Sequence, residues 1–238
     1  MARVIEYEMG KIMTIKHDLG YRSLQELVYD YLRSQIQTGS LKPGDPINMD
    51  QTAKKLSISK TPLREALIKL ESEGFVKIIP WQGVFVGSLS LHDFKEGYQI
   101  ISILESQALL YASARMKAED VQRMQELNDQ MKEAIESGDF EGYYRKNIEF
   151  HSTYLDLTGN QLLIDTIDIL KKRLYEFSRP MEFLKEWEDI SIAEHQHLTD
   201  LLRQGRFVEA KDYLFDVIWN FEVQEKFIIK YYRFDKEK

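Results

Sequence analysis

The 238-residue chain contains no cysteine, which excludes disulfides, thiolate zinc sites and a thiol-based redox switch together. It has no apolar run long enough to span a bilayer, and Glu6 and Glu8 interrupt the short apolar pieces near its start. Neither a membrane helix nor a signal-peptide core is expected, and a cytoplasmic location follows. No glycine-rich phosphate loop, serine-nucleophile motif or dinucleotide fingerprint occurs, so the sequence makes no case for an enzyme. What is present is the composition of a soluble globular protein, 43% hydrophobic and 30% charged, long enough for one or two cored domains.

The net charge of −7 is unevenly spread: residues 1–88 hold 12 Lys/Arg against 10 Asp/Glu, and residues 89–238 hold 20 against 29. The acidic balance therefore lies in the second part, and any contact with nucleic acid belongs to the first, through a local basic patch rather than an overall field. Its organising stretch is Ser59-Lys60-Thr61-Pro62-Leu63-Arg64-Glu65-Ala66-Leu67. A helix is predicted there, with Ser59 as the cap, Pro62 tolerated in the first turn, and Leu63, Ala66, Leu67 and Leu70 as its buried row. Lys60, Thr61 and Arg64 then lie on the opposite side, where they can reach base edges and phosphates. Upstream, Ser23 with Glu26 and Asn48 with Gln51 read as helix starts. Downstream, residues 75–79 and 84–86 flank Pro80-Trp81-Gln82-Gly83 as a two-stranded wing with a glycine-containing tip.

The Pro43-Gly44-Asp45 turn, the helix pair, the SKTPLREAL box, the Leu70-Glu71-Ser72-Glu73-Gly74-Phe75-Val76 exit and the Gly83-Val84-Phe85-Val86 wing resemble the GntR family of bacterial transcriptional regulators. The resemblance covers residues 21–88 and implies a winged helix-turn-helix that binds a double-stranded DNA operator. Its contacts would come from Ser59, Lys60, Thr61, Arg64, Gln51, Gln82 and Gly83. Where the family often has arginine, this chain has Asp50 and Lys60. Both changes weaken bidentate guanine reading.

After a linker at residues 88–90 the pattern is helical throughout, with six or seven helices and no convincing strand. Helices are expected over 91–116 (with Gly97 as a mild interruption), 118–136, 139–157 and 160–177, then one opened by a Ser191/Glu194 capping box and a last one over 207–232. The fold class is mainly α. Residues 1–20 form an extension with no assigned function, 21–88 the winged domain, and 89–238 the bundle. The Leu104-Glu105, Phe150-His151, Thr158-Gly159-Asn160 and Glu194-His195 pairings resemble the FCD group of GntR regulators, which implies a homodimer and a small-molecule effector bound inside the bundle.

Metal-binding members of that group use an Asp and a His four residues apart and two further His. The resemblance puts these positions on Asn147, His151, His195 and Val217. With an amide for a carboxylate and a valine for an imidazole, a divalent ion such as zinc or nickel at this degenerate site is one reading. The other is that His151 and His195 are hydrogen-bonded groups lining a polar cavity. Ile101 stands where the family has an effector-holding arginine, four residues before Glu105. That loss points to a larger or more apolar ligand, an acyl or aromatic compound. Arg145, Arg173 and Arg179 are the anion partners that remain, and Tyr98, Tyr144, Tyr154 and Tyr175 are candidate wall residues. A helical metal-binding protein or enzyme without a regulatory role is the alternative function.

Overall fold

The computed structural model describes residues 23–177 and 182–234, which fall into two compact units. One ends at Ser88 and includes residues 176–177; the other runs from Leu89 to Tyr175 and continues from residue 182. The N-terminal extension and the Arg179-Pro180 break expected from the sequence lie outside the described residues.

In the first unit, α1 (Leu24–Gln37) opens on a complete capping box: the Ser23 amide donates to Glu26 at 2.8 Å and the Glu26 amide to Ser23 Oγ at 3.2 Å. Helix α2 (Met49–Lys55) starts at Asn48, whose side chain accepts from the Gln51 amide at 2.9 Å. Helix α3 (Lys60–Ser72) packs on α1, closing Leu32 and Ile36 against Leu63, Leu67 and Leu70, all at most 1% exposed. Each such side chain contributes about 1.5–3 kcal/mol by leaving water. Gly74, at φ +81°, turns the chain into the wing. There β2 (Val76–Ile79) pairs antiparallel with β3 (Gly83–Val86), Val76 facing Val86 and Ile79 facing Gly83. The sheet has one strand more than the sequence indicates: β1 (Pro46–Ile47) pairs with the other edge of β3. Two residues are too short for any alternation to register.

The second unit holds seven α-helices among its described residues. Helix α4 (Leu91–Ala112) begins at a Ser90/Asp93 capping box and ends four residues before the expected limit. Gly97 does not interrupt it; a Cβ there would lie 2.9 Å from Leu174 Cδ1, so glycine permits close helix packing. Next come α5 (Ala118–Ser137) and α6 (Phe140–Leu155), joined through Gly138 in the left-handed region with Asp139 capping the Gly142 amide. A short 3-10 turn, Asp156–Thr158, leads to α7 (Gln161–Glu176). Helix α8 (Lys185–Arg203) begins six residues before Ser191, so Ser191 and Glu194 are mid-helix residues and not the capping box expected from the sequence. The expected final helix is broken into α9 (Phe207–Tyr213), a π-helical turn at Leu214–Ile218, and α10 (Phe221–Tyr232), which is capped by Asn220. The core of this unit is centred on Phe94, Ile101, Leu109, Met124, Phe150 and Tyr154, all fully buried.

Candidate functional site

The first unit presents its polar chemistry outward. Along α3 the core row is Leu63, Ala66, Leu67 and Leu70, while Ser59, Lys60, Thr61 and Arg64 are exposed on the opposite side. Ser59 occupies the cap position, but its side chain makes no capping hydrogen bond, which corrects the role expected for it. The start of α3 thus retains open backbone amides beside a hydroxyl and two cations, a combination suited to phosphate. Gln51, Gln82 and Gly83 are likewise exposed. Two features were not anticipated. Asp50 and Lys60, the two positions where the family often has arginine, form an ion pair at 2.5 Å. Trp81, fully exposed at the wing tip with φ +65°, projects a large ring where only Gln82 and Gly83 had been singled out.

The second unit turns its chemistry inward. A cavity is lined by Asn147 and His151 of α6, by Glu188, Ser191, Glu194 and His195 of α8, by Trp219 just before α10 and by Gln224 within α10. Tyr98, Tyr144, Tyr175 and Trp187 complete much of its wall. Asn147, His151 and His195 do converge, with the two imidazoles 5.2 Å apart and the His195 ring stacked on Phe150 at 4.2 Å. Ile101, Glu105, Arg173 and Val217 do not line it, and neither do Arg145 and Tyr154. Ile101 is a fully buried core residue. Arg173 donates to Asp93 at 2.9 Å. Val217 faces a separate shallow hollow with His197 and Tyr213, because the π-turn inserts a residue and brings Ile218 and Trp219 round to the cavity. Glu105 lies behind the wall. There it accepts hydrogen bonds from the Tyr154 hydroxyl and from Trp219 Nε1 at 2.8 Å, and meets His151 Nδ1 at 3.0 Å.

Sequence reasoning missed Glu188, Trp219 and, most consequentially, Lys171. This lysine occupies the buried row of α7 with Ile167 and Leu174, and its ammonium forms an ion pair with Glu105. The same ammonium lies 5.0 Å from the Trp219 ring centroid. A lysine on an otherwise apolar helical face was the available signal. Burial alone would raise the Glu105 carboxyl, but Lys171 and His151 outweigh it and hold the group well below the usual carboxylate range. Burial, then Lys171, depresses His151; burial, His151 and Lys171 depress His195 further, so both rings are neutral at pH 7. Glu188 and Glu194 move the other way: burial pushes each up to about 7.

These residues do not fit a metal centre. No group of three or more His, Cys, Asp or Glu side chains able to hold an ion occurs among the described residues. The carboxylate nearest the histidines is already neutralised by Lys171, whose positive charge would repel a divalent cation. No helix among the described residues is long and apolar enough to cross a membrane.

Residues 24–86 match the family described as bacterial regulatory proteins, gntR family, and residues 96–218 match the FCD domain. The Nta operon transcriptional regulator of Aminobacter aminovorans is 32% identical over 165 residues, 68% of this chain and 75% of that protein. The HTH-type transcriptional repressor RspR of Escherichia coli is 26% identical, over 67% of this chain and 70% of its own. The solved structure of E. coli McbR/YncC superimposes with a TM-score of 0.65 at 25% identity, covering 90% of this chain and 99% of that one. With an outward cationic helix in one unit and a cavity lined by buried polar groups in the other, the chain belongs to the gntR family of bacterial regulatory proteins and carries an FCD domain: it is a DNA-binding transcriptional regulator with a ligand-sensing helical domain.

Proposed function

We propose that the chain is a homodimeric repressor that reads a near-palindromic operator with α3 and releases or engages it according to a metabolite held in the helical cavity. The observation that carries this reading is the outward set of Ser59, Lys60, Thr61 and Arg64 on a helix whose other side is sealed into the core. Lys60 and Arg64 enter the major groove, Gln51 and the Ser59 hydroxyl take phosphates, and Trp81, Gln82 and Gly83 at the wing tip approach the neighbouring groove. Two copies place their α3 helices about one helical turn apart on the duplex. The dimer forms through the apolar stripe of α4, where Ile100, Ile103 and Tyr111 are about half exposed or more at helical spacing. A relative named as a repressor supports repression over activation.

The cavity holds a ligand with a substantial apolar, acyl or aromatic portion, since aromatic rings form much of its wall and Ile101 supplies no guanidinium. It works without a resident zinc or nickel ion, because Lys171 already provides the positive charge beside Glu105 and His151. Its role is regulatory and not catalytic: ligand binding shifts the DNA-binding equilibrium by the difference in its affinity for the two states. Fluorescence anisotropy with the intergenic DNA upstream of the gene is the test. Specific binding with a steep salt dependence is expected, and affinity no greater than for random duplex would overturn the reading.

A further inference from the structure

The cavity of the helical unit has an uneven polar inventory. Of its ionisable wall residues, Glu188 and Glu194 are acids, and no lysine or arginine lines it among the described residues. Lys171, the nearest buried ammonium, lies behind Trp219 and is paired with Glu105. Helix α8 carries Glu188, Ser191, Glu194 and His195 at spacings of three, six and seven residues, which place all four on the face that meets the cavity.

Two of these groups are buried and have a polar atom without a partner. Glu188 is 7% exposed and its Oε2 has no hydrogen-bond donor; His195 is 2% exposed and its Nδ1 is likewise unmatched. Such orphaned atoms are costly unless a bound group completes them. Gln224 cannot do so. Its Oε1 accepts from Trp187 Nε1 at 2.8 Å, and its Nε2 is directed to Glu194 at 3.2 Å and to the Val217 carbonyl at 3.3 Å. The cavity thus offers the unpartnered Glu188 Oε2 and His195 Nδ1 beside a carboxylate pair lacking a countercharge, within walls of Tyr98, Tyr144, Tyr175 and Trp219. Aromatic faces with buried carboxylates favour a positively charged guest and disfavour an anion.

We propose that the cavity binds a protonated organic amine, its ammonium set among Glu188, Glu194 and His195 and its carbon skeleton against the aromatic wall. This rests on reading the cavity as the effector site, and it assigns the ligand a charge opposite to that of a carboxylate effector.

The test uses the full-length protein washed with EDTA, without DNA, titrated calorimetrically with tryptamine, 2-phenylethylamine and octylamine. The comparison ligands are 3-phenylpropanoate and octanoate, 2-phenylethanol and octanol, and zinc chloride alone. At least one amine should bind saturably, about tenfold or more tighter than the carboxylate and alcohol of similar size. Glu188→Gln and Glu194→Gln are close in shape to the native residues. At least one of them should weaken amine binding about tenfold while leaving the alcohol within about twofold. The proposal is overturned if no amine binds, if a carboxylate or alcohol binds as tightly, if zinc binds and the amines do not, or if neither variant changes amine affinity. Operator binding measured separately keeps the two readings apart. Amine binding with no effect on DNA affinity removes the effector role and leaves the ligand class standing. Normal operator binding without amine binding removes the ligand class alone.

Discussion

The two units distribute polarity in opposite ways. In the winged unit the side chains with chemistry to offer, Lys60, Thr61 and Arg64, stand in water above an apolar row, and the one buried carboxyl among the described residues there, Glu73, accepts from the Tyr29 hydroxyl. In the helical unit charge is taken inside, as the Glu105–Lys171 pair and the carboxyls of Glu188 and Glu194, and each is offset by a neighbour or left waiting for one. Surface cations remain solvated until DNA displaces water and counterions, so they cost the fold little. Buried charges cost the fold from the start and are retained where the interior has a task. The difference implies that substitutions in the first unit alter binding with small effects on stability, whereas those in the second alter both.

The largest effect that would break this contrast lies at Lys171. Lys171→Met leaves Glu105 fully buried without its cation and should destabilise the protein by about 3–5 kcal/mol in urea unfolding. The double variant with Glu105→Gln should recover much of that loss, because no uncompensated charge remains. Equal destabilisation by the single and double variants would mean that packing, and not charge, dominates there. Next is Arg64→Ala, expected to weaken operator binding by about 1–3 kcal/mol with an unfolding midpoint close to native, measured by anisotropy and thermal melting. A large loss of stability would remove the distinction between the units.

Smaller effects sharpen the comparison. Glu188 and Glu194 titrate near 7 in the fold instead of the ordinary 4.5, so their contribution to stability is full below 4.5 and is lost as pH rises through 7. Their glutamine variants should therefore gain on the native protein at pH 8.5 relative to pH 5, by roughly 1 kcal/mol each once solvent screening at the cavity mouth is allowed for. Melting curves at the two pH values decide it, and an unchanged difference would show that both carboxyls are already solvated. The smallest effect is at Asp50→Ala, which frees Lys60 from its exposed partner and should tighten binding to random duplex by roughly 0.5 kcal/mol at low salt. No change would mean that the lysine already exchanges freely between the carboxylate and solvent.

The same contrast governs what the sequence revealed. The winged unit is built from local signals, caps at Ser23 and Asn48, a glycine at 74 and an apolar row on α3, and its candidate contact side chains lie on the side away from that row. Helical periodicity places them on one outward face, and the resemblance carried by the SKTPLREAL box supplies their expected role. The third strand escaped because two residues leave no period to read. In the helical unit the elements were legible but the cavity was not. Asn147, His151 and His195 were found by resemblance, while Lys171 and Trp219 acquire meaning only through Glu105, which is 66 and 114 positions away. Glu188 and Glu194 resemble solvated helix residues in sequence, and only the packing of α8 against its neighbours shows them to be enclosed.

The π-turn at Leu214–Ile218 carries a consequence for how such cavities diversify. Each residue advances an α-helix by about 100°, so one residue gained or lost in that turn rotates everything after it onto a different azimuth. Loss of one would bring Asn220 toward the place where the Trp219 indole now donates to Glu105, exchanging a ring for an amide without a single point substitution. Ligand preference in this domain is thus open to change through chain length in one turn, a route that position-by-position alignment reads as a mismatch and not as a shift of phase.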